Sequence, residues 1–328
     1  MVAAVTSFLE RHFLHFNARE ALEAAKAYDA HIRAGGKMLV SLAGAMSTAQ
    51  IGRILARMIR GGKVHAISCT GANLEEDVFA LLALDAYERL PHWRALSATD
   101  EQDLCERGMN RVTDTAIPET VMRELEHRLI ECWSRACRER QRFTPSQFMF
   151  QVLDDPTLPQ HFKLPREESW VWAAKERQIP VYTPGWEDSS TGNFFSAAVW
   201  RGDVEHHQCV RTGTEQFEDL MRWYLHETET RDASTPSVGF FQVGGGIAGD
   251  FAICAVPCLY QDLKKKDVPL WGYFAQVSDA VTSYGGYSGA VPNEKITWGK
   301  LDVETPKFMI QSDATIVAPL IFAYVLGD

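Results

Sequence analysis

The sequence predicts an α/β fold with a mainly parallel sheet flanked by helices. Between residues 37 and 84, short apolar runs alternate with helical patterns across short loops, the arrangement that parallel strands joined by crossover helices require. With 328 residues, 46% of them apolar and 23% charged, the chain can bury a full core as one large unit, residues 1–328. Polar, Gly-containing segments fall at the ends of predicted strands, where open parallel sheets bind ligands: 42–47, 69–77, 185–193 and 243–250.

The elements follow in order. Residues 17–34 read as a helix, because Asn17 and Glu20 have capping-box spacing and Gly35-Gly36 ends the pattern. Lys37 to Leu42 is a strand. Ser47 and Gln50 repeat the capping spacing before Ile51, Ile54, Leu55, Met58 and Ile59, which share one helical face closed by Gly61-Gly62. Val64 to Cys69 is the next strand, and Asn73 with Glu76 opens a third helix through Leu84. Residues 91–116 lose periodicity and read as an insertion or surface excursion. An amphipathic helix then runs from Pro118, suited to a first turn, to about Arg142. A further helix spans 167–177, a strand-like run 179–184, a loop 185–193, a helix 214–228 and a strand 237–243. The remainder reads as a loop and helix over 244–263, strands at 270–277 and 307–311, and a closing helix at 314–326.

Composition excludes several classes. The longest apolar stretches, such as Phe79 to Leu84, are far too short to cross a bilayer, and the start, Met1-Val-Ala-Ala-Val, soon meets Glu10, Arg11 and His12, so no signal peptide is expected. The seven cysteines are scattered without a Cys-x-x-Cys pair, which favours a reducing cytoplasm over a disulfide framework or a cysteine zinc site. A formal charge of −10 argues against nucleic acid and favours cationic partners such as polyamines.

Three segments carry candidate chemistry. Gly244, Gly246 and Gly249 form Gly-x-Gly-x-x-Gly after a strand and before a helix, a context that cradles a pyrophosphate; a plain tight turn is the competing reading. Glu75, Glu76 and Asp77 stand near a helix start, either to complement its dipole or to turn a carboxylate toward a ribose diol. The Gly-rich stretch Tyr284 to Lys300 delivers a lysine beside Trp298 with Glu294 six residues back. An indole wall makes an ammonium costly and so favours an amine nucleophile, although a surface lysine after a turn has the same spacing. His206-His207 is not expected to hold a metal, since adjacent side chains on a strand diverge.

Taken in order, Cys69-Thr-Gly-Ala-Asn-Leu-Glu-Glu-Asp77, Val243-Gly-Gly-Gly246, Trp298-Gly-Lys300 and Ser312-Asp-Ala314 before an apolar closing helix resemble the deoxyhypusine synthase family from about residue 17 onward. The resemblance implies a Rossmann-like, doubly wound fold, a homotetramer with sites at subunit interfaces, and NAD as a recycled cofactor. It implies that Lys300 carries a 4-aminobutyl group as an imine between a polyamine donor and an acceptor, either a protein lysine or a small diamine. Trp298 would pack on the polyamine and Glu294 would anchor an ammonium. Ser47, Thr70, Glu76, Asp188, Gly244, Gly246, Asp313 and Ala314 would contact NAD.

The chain also departs from the family pattern. Asn193 and Tyr287 stand where spermidine-binding members have acids, Asp250 stands where they have a histidine that helps remove a proton, and Ala43-Gly44 replaces a Ser-Asn pair. These changes alter which ammonium spacing the site can neutralise and make Asp250 the expected proton acceptor. Readings from other classes are an NAD-dependent amine dehydrogenase, in which Lys300 is dispensable, and a non-catalytic polyamine-binding module.

Overall fold

Six parallel strands form the central sheet of the computed structural model, which describes residues 4–282 and 285–328. In chain order, α1 (Ala4–His12) and α2 (Phe16–Arg33) precede β1 (Met38–Leu42), α3 (Gly52–Arg60), β2 (Ala66–Cys69) and α4 (Gly71–Ala83). There follow β3 (Glu88–Arg89), α5 (Ala98–Glu106), β4 (Met109–Val112), β5 (Thr115–Pro118), α6 (Glu119–Glu139), α7 (Pro145–Leu153) and α8 (Trp170–Glu176). The second half comprises β6 (Val181–Tyr182), α9 (Ser190–Arg201), α10 (Gly213–Glu229), β7 (Gly239–Val243), α11 (Ile247–Ile253), α12 (Ala255–Pro257) and β8 (Tyr273–Ser278). It ends with α13 (Glu294–Thr297), β9 (Lys307–Gln311) and α14 (Ala314–Leu326).

The sheet order is β6-β2-β1-β7-β8-β9, and every pairing in it is parallel. Every residue of β1, β2, β7 and β8 is buried, as expected where helices cover both faces. Alternation along the strands divides the core. Val40, Phe241, Val243, Tyr273 and Ala275 face one apolar cluster with α2, α3 and α14, whereas Leu39, Phe240 and Phe274 face a second with Tyr224 of α10 and Val256. The expected doubly wound architecture is therefore present.

Several local expectations are corrected. The Asn17, Ser47 and Asn73 capping boxes do not form; the residue before α2 is His15, that before α3 is Ile51, and neither caps through its side chain. Asn17 instead exchanges hydrogen bonds with the Gln311 backbone, at 2.9 and 3.3 Å, and Glu20 accepts the Met309 amide at 3.2 Å. Thr70 caps α4. In each case a tertiary backbone partner outcompetes the local one. Pro118 ends β5 rather than opening a helical turn.

Residues 91–116 carry α5 and β4 and run into β5, and β3, just before them, joins β5 and β4 in a separate antiparallel sheet beside α5. The helices α5 and α7 were signalled by capping boxes at Ser97/Asp100 and Thr144/Gln147, and α9 begins inside the segment expected to be a loop, capped by Ser189. Among the described residues, no helix is long and apolar enough to cross a membrane.

Candidate functional site

The chain enters the sheet at β1, moves outward through β2 to β6, and returns on the other side of β1 at β7. This reversal puts a topological switch point at the carboxyl ends of β1 and β7, the position at which open α/β sheets have the crevice that binds ligands. The Ala43 amide donates to the Val243 carbonyl at 3.0 Å, and a Cβ on Gly244 would meet the Ala43 Cβ at 2.8 Å, so the two loops press together. Gly44, Gly244 and Gly246 have φ of +54°, +84° and +71°, and side chains added at Gly44 or Gly246 would enter open space. The Thr70 hydroxyl donates to the Gly44 carbonyl at 2.7 Å. An open, glycine-lined backbone at the switch point suits a dinucleotide pyrophosphate, so the residues here fit NAD.

Behind this crevice, α4 presents three consecutive buried carboxylates. None lies in the first helical turn, so dipole complementarity is not their role. Glu75 accepts the Ser190 and Thr191 amides at 2.9 and 2.7 Å, and Glu76 accepts the Thr48 amide at 3.3 Å. Asp77 accepts the Ser169 hydroxyl and the Trp170 and Val171 amides. Burial raises all three, Glu76 to about 7 and Asp77 to about 6, against the opposing pull of these donors. Ser47 is likewise committed inward. Its hydroxyl donates to the Asn73 carbonyl at 2.7 Å and accepts from the Trp170 indole at 3.0 Å.

A cavity of about 440 Å³ opens beside the crevice, walled by α11, β7, β8 and the segment leading to β9. It collects Asp250, Tyr287, Glu294, Trp298 and Lys300 from the expected set. Gly299, at φ +63°, packs so closely on Tyr260 that an added Cβ would overlap the phenol oxygen; this fixes the turn between Trp298 and Lys300. The Lys300 Nζ lies 5.9 Å from the Trp298 ring centroid, and Trp298 is 63% exposed. The indole is thus an open flank of the cavity, not a wall that buries Lys300. Asp250 is held up by burial, opposed by the Tyr287 hydroxyl and the positive charges of Lys300 and Lys295.

Sequence reasoning missed Lys295, Gln242, Gln276 and Cys254, which also line the cavity. Lys295 is the lysine whose charged form is disfavoured, first by burial and then by Lys300. Gln242 and Gln276 pair in register on β7 and β8, and polar residues inside otherwise apolar buried strands were the available signal.

The remaining expected residues lie along the same carboxyl edge but outside the cavity. Asp188 is exposed after β6, the Asn193 amide donates to the Ser189 carbonyl at 2.9 Å, and Asp313 caps α14 by accepting from Thr315 at 2.7 Å, with Ala314 buried behind it. Tyr284, the start of the Gly-rich segment, lies outside the described residues, as does Met1-Val-Ala. His206 stands against Cys137, 3.7 Å from its Sγ, and His207 packs edge-on to Phe195.

Comparison with known proteins gives a consistent result. The family model described as deoxyhypusine synthase matches residues 10–325. "Probable deoxyhypusine synthase 1" of Archaeoglobus fulgidus is 26% identical over 95% of this chain and 90% of its own length. A "deoxyhypusine synthase-like protein" of Cyanothece sp. is 27% identical over 99% of this chain and 80% of its own. Among solved structures, an Entamoeba histolytica protein described under the deoxyhypusine synthase name superposes with a TM-score of 0.59 at 12% identity, covering 98% of this chain and 91% of that one, a likeness of fold.

Proposed function

Because the chain belongs to the deoxyhypusine synthase family, we propose that it is an NAD-dependent transferase that moves a 4-aminobutyl group from a polyamine donor, through an imine on Lys300, to an acceptor amine. The observation that carries this reading is the convergence of Lys300, Asp250, Glu294 and Trp298 on one cavity beside a glycine-lined crevice.

Gly244, Gly246 and Thr70 would hold NAD, with Ser47, Glu76, Asp188, Asp313 and Ala314 as further contacts; when bound, NAD supplies the acceptor for a donor hydride and later returns it. Glu294 holds a donor ammonium, and Trp298 packs on the methylene chain. Asp250 takes the proton from the reacting nitrogen, a task suited to a carboxylate whose proton affinity is raised by burial. The neutral Lys300 amine attacks the oxidised carbon, the new C–N bond forms, and the departing amine leaves with the proton. The acceptor amine then attacks the Lys300 imine carbon, and Lys300 is released. Tyr287 and Asn193 replace acids of the family pattern, which favours a small diamine acceptor over a protein lysine.

We place the enzyme in the cytoplasm as a homotetramer with sites at subunit interfaces. Exposed Ile247, Ile316 and Trp298 near the carboxyl edge support such contacts. The test is to incubate the protein with NAD and individual amines, quench with borohydride, and map adducts by peptide mass spectrometry. An adduct on Lys300 supports imine transfer; steady accumulation of free NADH without an adduct would replace it with amine dehydrogenation.

A further inference from the structure

The cavity already contains an ammonium of its own. The Lys295 Nζ lies 4.7 Å from the centroid of the Phe274 ring, the geometry in which an aromatic face holds a cation. Phe274 is fully buried behind the cavity on the face of β8 that it shares with Gln276, and Lys295, seated on it, lines the cavity together with Gln276 and Lys300. The seat is filled by the protein.

Charge balance gives that placement a consequence. The cavity walls carry two carboxylates, Asp250 and Glu294, and two lysines, Lys295 and Lys300. With Lys300 attacking as a neutral amine and Asp250 holding the proton taken from the reacting nitrogen, Glu294 is the one charged carboxylate left on the lining, shared between Lys295 and the first substrate ammonium. A primary diamine with its reacting nitrogen deprotonated retains one ammonium. A triamine such as spermidine, reacting at its secondary nitrogen, retains two, and the second would sit uncompensated beside Lys295.

On the transferase reading above, we propose that Lys295 is a specificity-determining residue that takes the place of one polyamine ammonium, so that the cavity selects short primary diamines over triamines as donors. Burial and the neighbouring Lys300 depress Lys295, and Asp250 and Glu294 oppose that by supporting its charge.

The test is calorimetric binding of 1,4-diaminobutane and spermidine to the NAD-saturated protein and to Lys295→Met and Lys295→Arg variants, with folding checked by circular dichroism. The wild type is expected to favour the diamine by roughly tenfold or more. Lys295→Met, which keeps the apolar stem without the charge, should erase or invert the preference, and Lys295→Arg should retain it. Equal or tighter spermidine binding by the wild type, binding of neither amine, or an unchanged ratio in Lys295→Met would overturn the proposal. If Lys295→Met fails to fold, the wild-type ratio decides. Borohydride trapping separates this inference from its premise: a Lys300 adduct without diamine preference retains transfer and discards the role of Lys295, and diamine preference without an adduct does the reverse.

Discussion

The Glu75 carboxylate receives the Thr191 amide at 2.7 Å, so a side chain in the middle of α4 holds the first turn of α9. The Ser190 amide reaches its other oxygen at 2.9 Å. Glu75→Ala would leave both amides without that acceptor and should lower unfolding free energy by about 2–4 kcal/mol. Denaturant titration would measure it; a loss within 0.5 kcal/mol, the usual range for surface substitutions, would mean that α9 is held by other contacts.

Glu76 and Asp77 give stability a pH dependence. Their folded pKa values, about 7 and about 6, exceed the ordinary 4.5 and 3.8, so between those limits the folded state binds more protons than the unfolded state. Their contribution is fully present below the ordinary values and is lost as pH rises through about 6 to 7. The melting temperature should therefore fall between pH 5 and pH 8, and Glu76→Gln should flatten part of the slope, on the order of 1–3 kcal/mol. A rise over that interval would contradict the burial argument.

Lys300→Ala should remove the borohydride-trapped adduct and lower transfer by roughly 10²–10⁴-fold while NAD still binds. Retained turnover with free NADH release would identify a dehydrogenase that needs no lysine imine.

Asp250→Asn separates proton acceptance from anchoring. Burial raises Asp250, so activity should fall as pH drops through its elevated pKa, and the variant should lose both turnover and that acid limb. Stopped-flow NADH formation alongside amine binding distinguishes the roles: lost binding with an intact pH profile would make Asp250 an ammonium anchor.

Two glycines of one motif should respond differently to alanine. At Gly244, positive φ combines with a 2.8 Å approach to the Ala43 Cβ, so Gly244→Ala should destabilise the fold by about 2–4 kcal/mol. At Gly246 there is strain but open space, so Gly246→Ala should cost about 1–2 kcal/mol and chiefly weaken NAD binding. Thermal melts with and without NAD would reveal the contrast, and equal losses would refute it.

The strands were legible because buried parallel strands are short apolar runs, and β9 and α14 fall where the sequence put them. Helix starts were less legible. Asn17, Ser47 and Asn73 have capping chemistry, but their side chains meet backbone groups brought close only by tertiary folding. At the site, the order of residues pointed to the Trp298–Lys300 turn and Asp250, which the structure brings to one cavity, whereas Lys295 carried no signal of its own within the Gly-rich stretch. Its significance depends on Phe274, 21 positions earlier in the sequence, lying beneath it.

The attachment of Asn17 and Glu20 to the outer side of β9 bears on how copies of this chain can associate. Three backbone groups that an incoming strand would require are already engaged by α2. The opposite margin, β6, is only two residues long. Neither border offers a ready template for continuous β-pairing, so a larger particle would be assembled by docking helices and loops, and the ladder of hydrogen bonds would stop at the boundaries of each chain.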